Sequence, residues 1–275
     1  MTAPHFTCSI LTTAYLPPVS YFFAIAHSDR VLIEQHEAYQ KQSWRSRCRI
    51  FSAAGPEDLS IPVMKEERRS RPIRDIRIDY SEPWLQHHIR ALEAAYNASA
   101  FYDYYADELV PILESKPAFL FDLNGKLLEK LLELLGLSTP VFLTESFVKD
   151  YETMSSPAPA GHFFDGRSVI QPKYKGKSLL AEYGCEQAYY QVFVNREPGA
   201  GFIPDLSVID LLSAEGPGAG AFLRIGSPAC RRLCSCCASR CPWEPSRRWS
   251  SRRRAGRCRP YRRDGSRQGR PRRSG

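Results

Sequence analysis

The sequence predicts an α/β fold: a short N-terminal parallel βαβ unit extended by mixed strands, with a helical subdomain. Three observations predict it. A strand, a proline turn, a helix and a second strand are compressed into residues 8–34, and a crossover that compact joins parallel neighbours. Further apolar runs at strand-like spacing follow. Leucines then repeat at helical spacing up to Gly136.

Taken in order, residues 8–14 (CSILTTA) read as a short buried strand ended by Tyr15-Leu16-Pro17-Pro18. Proline is tolerated in a first helical turn and not deeper, so a helix starts there and runs through Tyr21, Phe22 and Ile25 to His27. Residues 30–34 form the next strand. The turn after the first strand is where α/β sheets place ligands.

Residues 31–51 (VLIEQHEAYQKQSWRSRCRIF) carry the densest information. Lys41, Arg45, Arg47 and Arg49 all stand at odd positions, and in an extended strand a period of two puts them on one face. Gln42, Trp44, Cys48 and Ile50 then take the other face. A row of like charges repels itself, so its uses are anion recognition or pairing with carboxylates such as Glu34 and Glu37. The alternative is a solvated edge strand whose cations guard against aggregation. His36 lies between Glu34 and Glu37, and a histidine beside a carboxylate can serve as a general base near neutral pH. A surface histidine with a satisfied hydrogen bond is the competing reading.

Residues 59–63 (LSIPV) and 73–80 (IRDIRIDY) are further strand candidates, separated by the basic loop KEERRSRP. Ser81 offers an N-cap and Pro83 a first turn for a helix with Leu85, Ile89, Leu92 and Tyr96 on one stripe. His88 shares that stripe and His87 borders it. Adjacent helical residues point about a hundred degrees apart, so one histidine packs and the other faces a cleft. A second helix spans residues 101–110 and is ended or kinked by Pro111. The clearest helix runs from Asn124, as cap, to Leu135, with Gly136 closing it. Residues 141–147 read as a strand, residues 153–178 as a proline- and glycine-containing loop, AYYQVFVN as a strand and FIPDLSVIDLL as a short helix. Within the last, Asp205, Ser207 and Asp210 read as helix-start residues.

The charge of +8 over 275 residues is unevenly placed. Residues 225–275 hold sixteen arginines, no lysine and only Glu244 and Asp264 as acids, so the preceding part is net acidic. Six of the nine cysteines fall there too. Without apolar periodicity this tail cannot bury enough surface to offset chain entropy, and it reads as disordered. A basic arm for nucleic acid, a cysteine knuckle around Cys230 to Cys241, and translation out of frame are its three readings. The last accounts best for arginine without lysine. Residues 1–224 are thus one domain, its helical part at about 81–136. The scattered Cys8, Cys48 and Cys185 suit a reducing compartment, and prolines interrupt the apolar start, so a cytoplasmic protein without a membrane span is expected. Phosphate-loop, dinucleotide, zincin and serine-hydrolase motifs are absent from the sequence. No metal site or cofactor is indicated.

The order of TTAYLPPVSYF, IEQHEAYQKQSWRSRCRI, LSIPV, the helix at Trp84 to His88, and AYYQVF, FIPDLSVIDLL and EGP resembles the WbqC-like protein family over residues 8 to about 223. Ser46 stands where that family usually has Asn, and Ala100 and Ala188 where it often has Pro; the loss of an amide beside Arg45 and Arg47 would alter a polar contact. The resemblance implies a role in surface-polysaccharide (O-antigen type) biosynthesis, as a transferase moving a glycyl or similar group onto a sugar. A non-catalytic module binding a nucleotide or anionic glycan is the alternative. For a transferase the implied partner is an anionic small molecule, a nucleotide- or lipid-linked sugar, with nucleic acid bound only through the tail. His36 would then be the general base, and Lys41, Arg45 and Arg47 the clamps. Tyr15 and Pro17 would shape the first turn, and His87 would face the substrate.

Overall fold

The computed structural model describes residues 4–64, 71–149, 162–194 and 201–224. The chain divides into two units, Met1–Cys236 and Cys237–Gly275, and every described residue lies in the first. The expectations for the tail lie outside the described residues, as do those for the basic loop at 65–70 and for the first part of the loop at 153–178.

The strands are β1 (Cys8–Thr12), β2 (Val31–Glu34), β3 (Arg47–Ser52), β4 (Gly55–Ser60), β5 (Val141–Leu143) and β6 (Phe163–Asp165). Four make a parallel sheet in the order β5-β2-β1-β6, and β3-β4 is a separate antiparallel hairpin. The mixed α/β class read from the sequence is the class observed. Helix α1 (Val19–Ala26) joins β1 to β2, with Ile10 opposite Leu32. Seven of its eight residues are buried, and later helices pack against it.

Pro18 occupies the N-cap of α1 and offers no side-chain acceptor. The acceptor comes from far along the chain. The Ser20 amide donates to Asp205 Oδ1 (2.7 Å) and the Ser20 hydroxyl to Asp205 Oδ2 (2.9 Å), placing a carboxylate at the positive end of the helix. Just before it, Leu16 has φ +40°, a conformation costly for a branched side chain. The Ser207 hydroxyl holds the Leu16 carbonyl at 2.8 Å, and the Val208 amide donates to the Pro17 carbonyl at 2.8 Å. The turn after β1 is therefore fixed by residues 205–208.

The remaining helices are α2 (Trp84–Tyr96), α3 (Tyr102–Glu114), α4 (Leu120–Leu134), α5 (Leu179–Glu182), α6 (Val208–Glu215) and α7 (Ala219–Leu223). The leucine stripe of α4 is buried as core: Leu120, Leu123, Leu127 and Leu131. Gly136, φ +61°, follows it. The amides of Gly136 and Leu137 bond back to Glu133 and Leu132 (both 2.9 Å), a helix end for which a left-handed glycine is favoured.

Several elements differ from the expectation. Residues 31–51 are not one strand: β2 stops at Glu34 because its carboxylate accepts the His36 amide (2.9 Å) and turns the chain. Residues 73–80 form a 3-10 turn at Ile73–Asp75 and isolated bridges at Arg77 and Ile78; Ile73 and Ile76, three apart, are both fully buried. Ser81 does not cap α2, because its amide and hydroxyl are taken by Asp79 Oδ1. Helix α3 passes through Pro111. Pro111 and Asp107, the residue whose carbonyl loses its partner, are both exposed, so water can satisfy that carbonyl. Asn124 is no cap; α4 begins four residues earlier and Asn124 is buried within it, donating to the Arg45 carbonyl (2.8 Å). Residues 188–194 hold no strand, 188–191 being irregular and 192–194 a turn, and β6 emerges from the stretch expected to be loop.

Candidate functional site

The cationic row separates into three environments. Arg45 is turned inward and only 1% exposed. Its Nε donates to Glu37 Oε1 (2.7 Å), its Nη2 to Glu37 Oε2, and its Nη1 to Gln40 (3.3 Å). This is a bidentate fork closed on a carboxylate of the same chain. Burial pushes the Glu37 carboxyl above its ordinary range, against the opposing pull of the Arg45 bonds. Arg47 and Arg49 lie on one face of the β3-β4 hairpin, where the register sets Arg49 opposite Asp58 and Arg47 opposite Ser60. Asp58 accepts from Arg47 Nη1 (3.1 Å) and from Arg49 Nε (2.7 Å). One carboxylate thus pairs with two guanidiniums, and the trio keeps a net positive charge. Lys41 stands apart, exposed in the turn before β3. The four cations do not look side by side into one hollow, because three of them are paired with Glu37 or Asp58.

Lys41 does border a cleft of about 650 Å³ between β4, the chain beyond it and the start of α2. Asp58 and Ser60 line it from the hairpin, Glu82, Trp84 and His87 from the opposite wall. The two histidines divide as expected: His87 is exposed toward the cleft, and His88 is buried in its wall. His88 Nδ1 lies 3.0 Å from the Tyr15 hydroxyl, and its ring stands edge-on to Trp84 at 5.0 Å. Burial, with His87 adding to it, pushes the His88 imidazolium down to about 4, against a smaller opposing pull from the Ser60 carbonyl. Burial pushes the Tyr15 phenol up. Near neutral pH this is a neutral imidazole accepting from a phenol hydroxyl. Trp84, 6% exposed, carries a buried indole Nε1–H with no hydrogen-bond partner among the described residues, a donor whose desolvation they leave uncompensated.

His36 lies elsewhere. Its Nε2 is 3.2 Å from the Thr144 carbonyl, at the end of the parallel sheet. Nearby, Glu34 is fully buried and accepts from the Thr144 hydroxyl and the Val148 amide (both 2.9 Å), with Arg167 Nη1 at 3.6 Å. Tyr15 reaches the cleft only through His88, and Pro17 is held against Val208. Ser46, standing where an amide was expected, bonds to the Tyr39 hydroxyl (3.0 Å), and Tyr39 also lines the cleft. Sequence reasoning singled out Lys41 and His87 and passed over Asp58, Ser60, Glu82 and Trp84. The alternation of Asp58 and Ser60 opposite Arg49 and Arg47 was the available signal, but it requires the hairpin register to be read.

No helix of the described residues is long and apolar enough to cross a membrane. No solved structure matches the chain. The protein titled "Uncharacterized protein Rv1507c" from Mycobacterium tuberculosis (strain ATCC 25618 / H37Rv) is 30% identical, over 78% of this chain and 96% of that protein. The family model described as "WbqC-like protein family" matches residues 13–221, from the end of β1 into α7. The chain belongs to the WbqC-like protein family.

Proposed function

We propose that the protein is a transferase of surface-polysaccharide biosynthesis whose cleft beside α2 seats a sugar as acceptor for a glycyl or similar acyl group. The observation that carries this reading is the lining of the cleft. The aromatic wall of Trp84, the carboxylates of Asp58 and Glu82, the Lys41 ammonium and the His87 imidazole line about 650 Å³. Closely placed donors and acceptors beside an aromatic wall suit a ligand rich in hydroxyls, within the usual size range of small-molecule sites. His87 takes the role of general base that His36, bonded at the sheet end, cannot reach from there. It would accept the proton of the attacking sugar hydroxyl while that oxygen bonds to the acyl carbon and the leaving group departs with its electron pair. Lys41 is the cation left for an anionic part of the ligand, since Arg45 and Arg47 are engaged within the fold.

A binding module for a nucleotide or anionic glycan is the second reading. It is favoured by His88, which is tied to Tyr15 and serves as wall rather than base. Incubation with nucleoside-diphosphate sugars and an activated glycyl thioester, followed by mass spectrometry, separates the two. Acylated sugar from the wild type, reduced roughly 100-fold or more in His87→Ala, supports the transferase. Saturable sugar binding with no acylated product under any donor leaves the binding module.

A further inference from the structure

A second cavity, of about 210 Å³, is formed where the start of α1, the chain after β6 and residues 203–205 meet. It is smaller than a drug-sized site. Arg49 and Asp205 both line it. Each shifts the other's ionisation, so they share one electrostatic environment. Yet among the described residues they form no direct ion pair: Arg49 is held on its far side by Asp58, and Asp205 is held by Ser20. Asp58 fixes the Nε and one Nη2 hydrogen of Arg49, leaving Nη1 without a hydrogen-bond partner among the described residues. Ser20 gives each Asp205 oxygen one donor, and each carboxylate oxygen has capacity for another. Opposite charges facing one cavity, each fixed from behind, are complementary to a molecule carrying both.

We propose that this cavity binds a small zwitterion of the amino-acid class, its carboxylate on Arg49 and its ammonium on Asp205. The indole of Trp44 and the ring of Tyr174 bound the space and would shield the pair from water. Tyr174 is seated over Gly176, where an added Cβ would stand 2.5 Å from the ring, so the ring's position depends on that glycine. Glu186, which also acts on Asp205, adds negative charge at the ammonium end. The site shares no residue with the sugar cleft; the Arg49–Asp58 pair is the link between them, with Asp58 lining one cavity and Arg49 the other.

The test is ligand-observed NMR on the full chain with L-alanine, β-alanine and 4-aminobutyrate, which differ in charge separation, and with acetate and methylamine as single-charge controls. At least one zwitterion should bind saturably and the controls not. Asp205→Asn should weaken that binding roughly tenfold or more. Val169→Trp, which puts an indole into the cavity and leaves both charged residues in the sequence, should abolish it while circular dichroism is unchanged. No saturable zwitterion, equal binding of methylamine, or equal affinity in Val169→Trp would each overturn the proposal. Loss of sugar binding in cleft variants would leave it standing, so the two readings fail separately.

Discussion

Substituting Glu37 by Gln is expected to destabilise the protein by about 3–5 kcal/mol, the cost of leaving a buried charge without its partner. The figure follows from the geometry. Arg45 is 1% exposed and Glu37 8%, measured on the side chains. The fork uses both carboxylate oxygens, and among the described residues Gln40 is the one other side chain bonded to the guanidinium. A neutral amide at position 37 keeps the shape and removes the charge. A loss near 3 kcal/mol corresponds to roughly 10 °C in the thermal midpoint of a domain this size. The double variant Glu37→Leu with Arg45→Met should recover most of the loss, since two apolar groups of similar volume replace a buried pair at little net cost. Urea unfolding followed by circular dichroism measures all three. If Glu37→Gln costs less than about 1 kcal/mol, or the double variant is the least stable, the reading of Arg45 as a structural cation fails.

Three further outcomes follow. Burial pushes the Asp210 carboxyl up to about 6 despite donors from Tyr189 and Gln191. Because its folded value exceeds the unfolded one, its contribution to stability is present below about 4 and is lost as pH rises through about 6, by up to roughly 3 kcal/mol; Asp210→Asn should flatten that segment of the pH–stability curve. His88 shifts the opposite way, so its contribution is present above about 6.5 and is lost as pH falls through about 4. Imidazole NMR should show it still neutral at pH 5. Gly220→Ala should lower the thermal midpoint, since its Cβ would stand 2.0 Å from the Leu135 carbonyl oxygen, an overpacking worth about 1–3 kcal/mol.

The local part of the fold was legible in the sequence. The β1-α1-β2 unit follows from an apolar run, a proline turn and a second apolar run, all settled within residues 8–34. The α4 stripe follows from leucine spacing and its end from Gly136. Long-range choices were not legible. The three residues of β6 are too short to show a period, and they are a strand because β1 offers Ser9 and its neighbours a parallel partner. Asn124 resembles a cap until the Arg45 carbonyl, 79 residues away in sequence, is seen to need its amide. The same applies to the site. Alternating cations are visible in a sequence, but whether they are free or paired depends on Glu37 across a bend and on Asp58 across a hairpin. Lys41 and His87 could be found from their own positions; Glu82 and Trp84 enter only when the start of α2 is set against β4.

The central claim is that the cleft beside α2 receives a sugar. Titrating nucleoside-diphosphate hexoses into isotope-labelled protein while following the Trp84 indole N–H and the amides of Lys41, Ser60 and His87 tests it most directly. Saturable shifts confined to those groups, abolished in Lys41→Ala with Glu82→Ala, are the predicted result. An indole resonance that stays fixed while the sugar shifts other parts of the protein, or no saturable shift for any hexose, would contradict it.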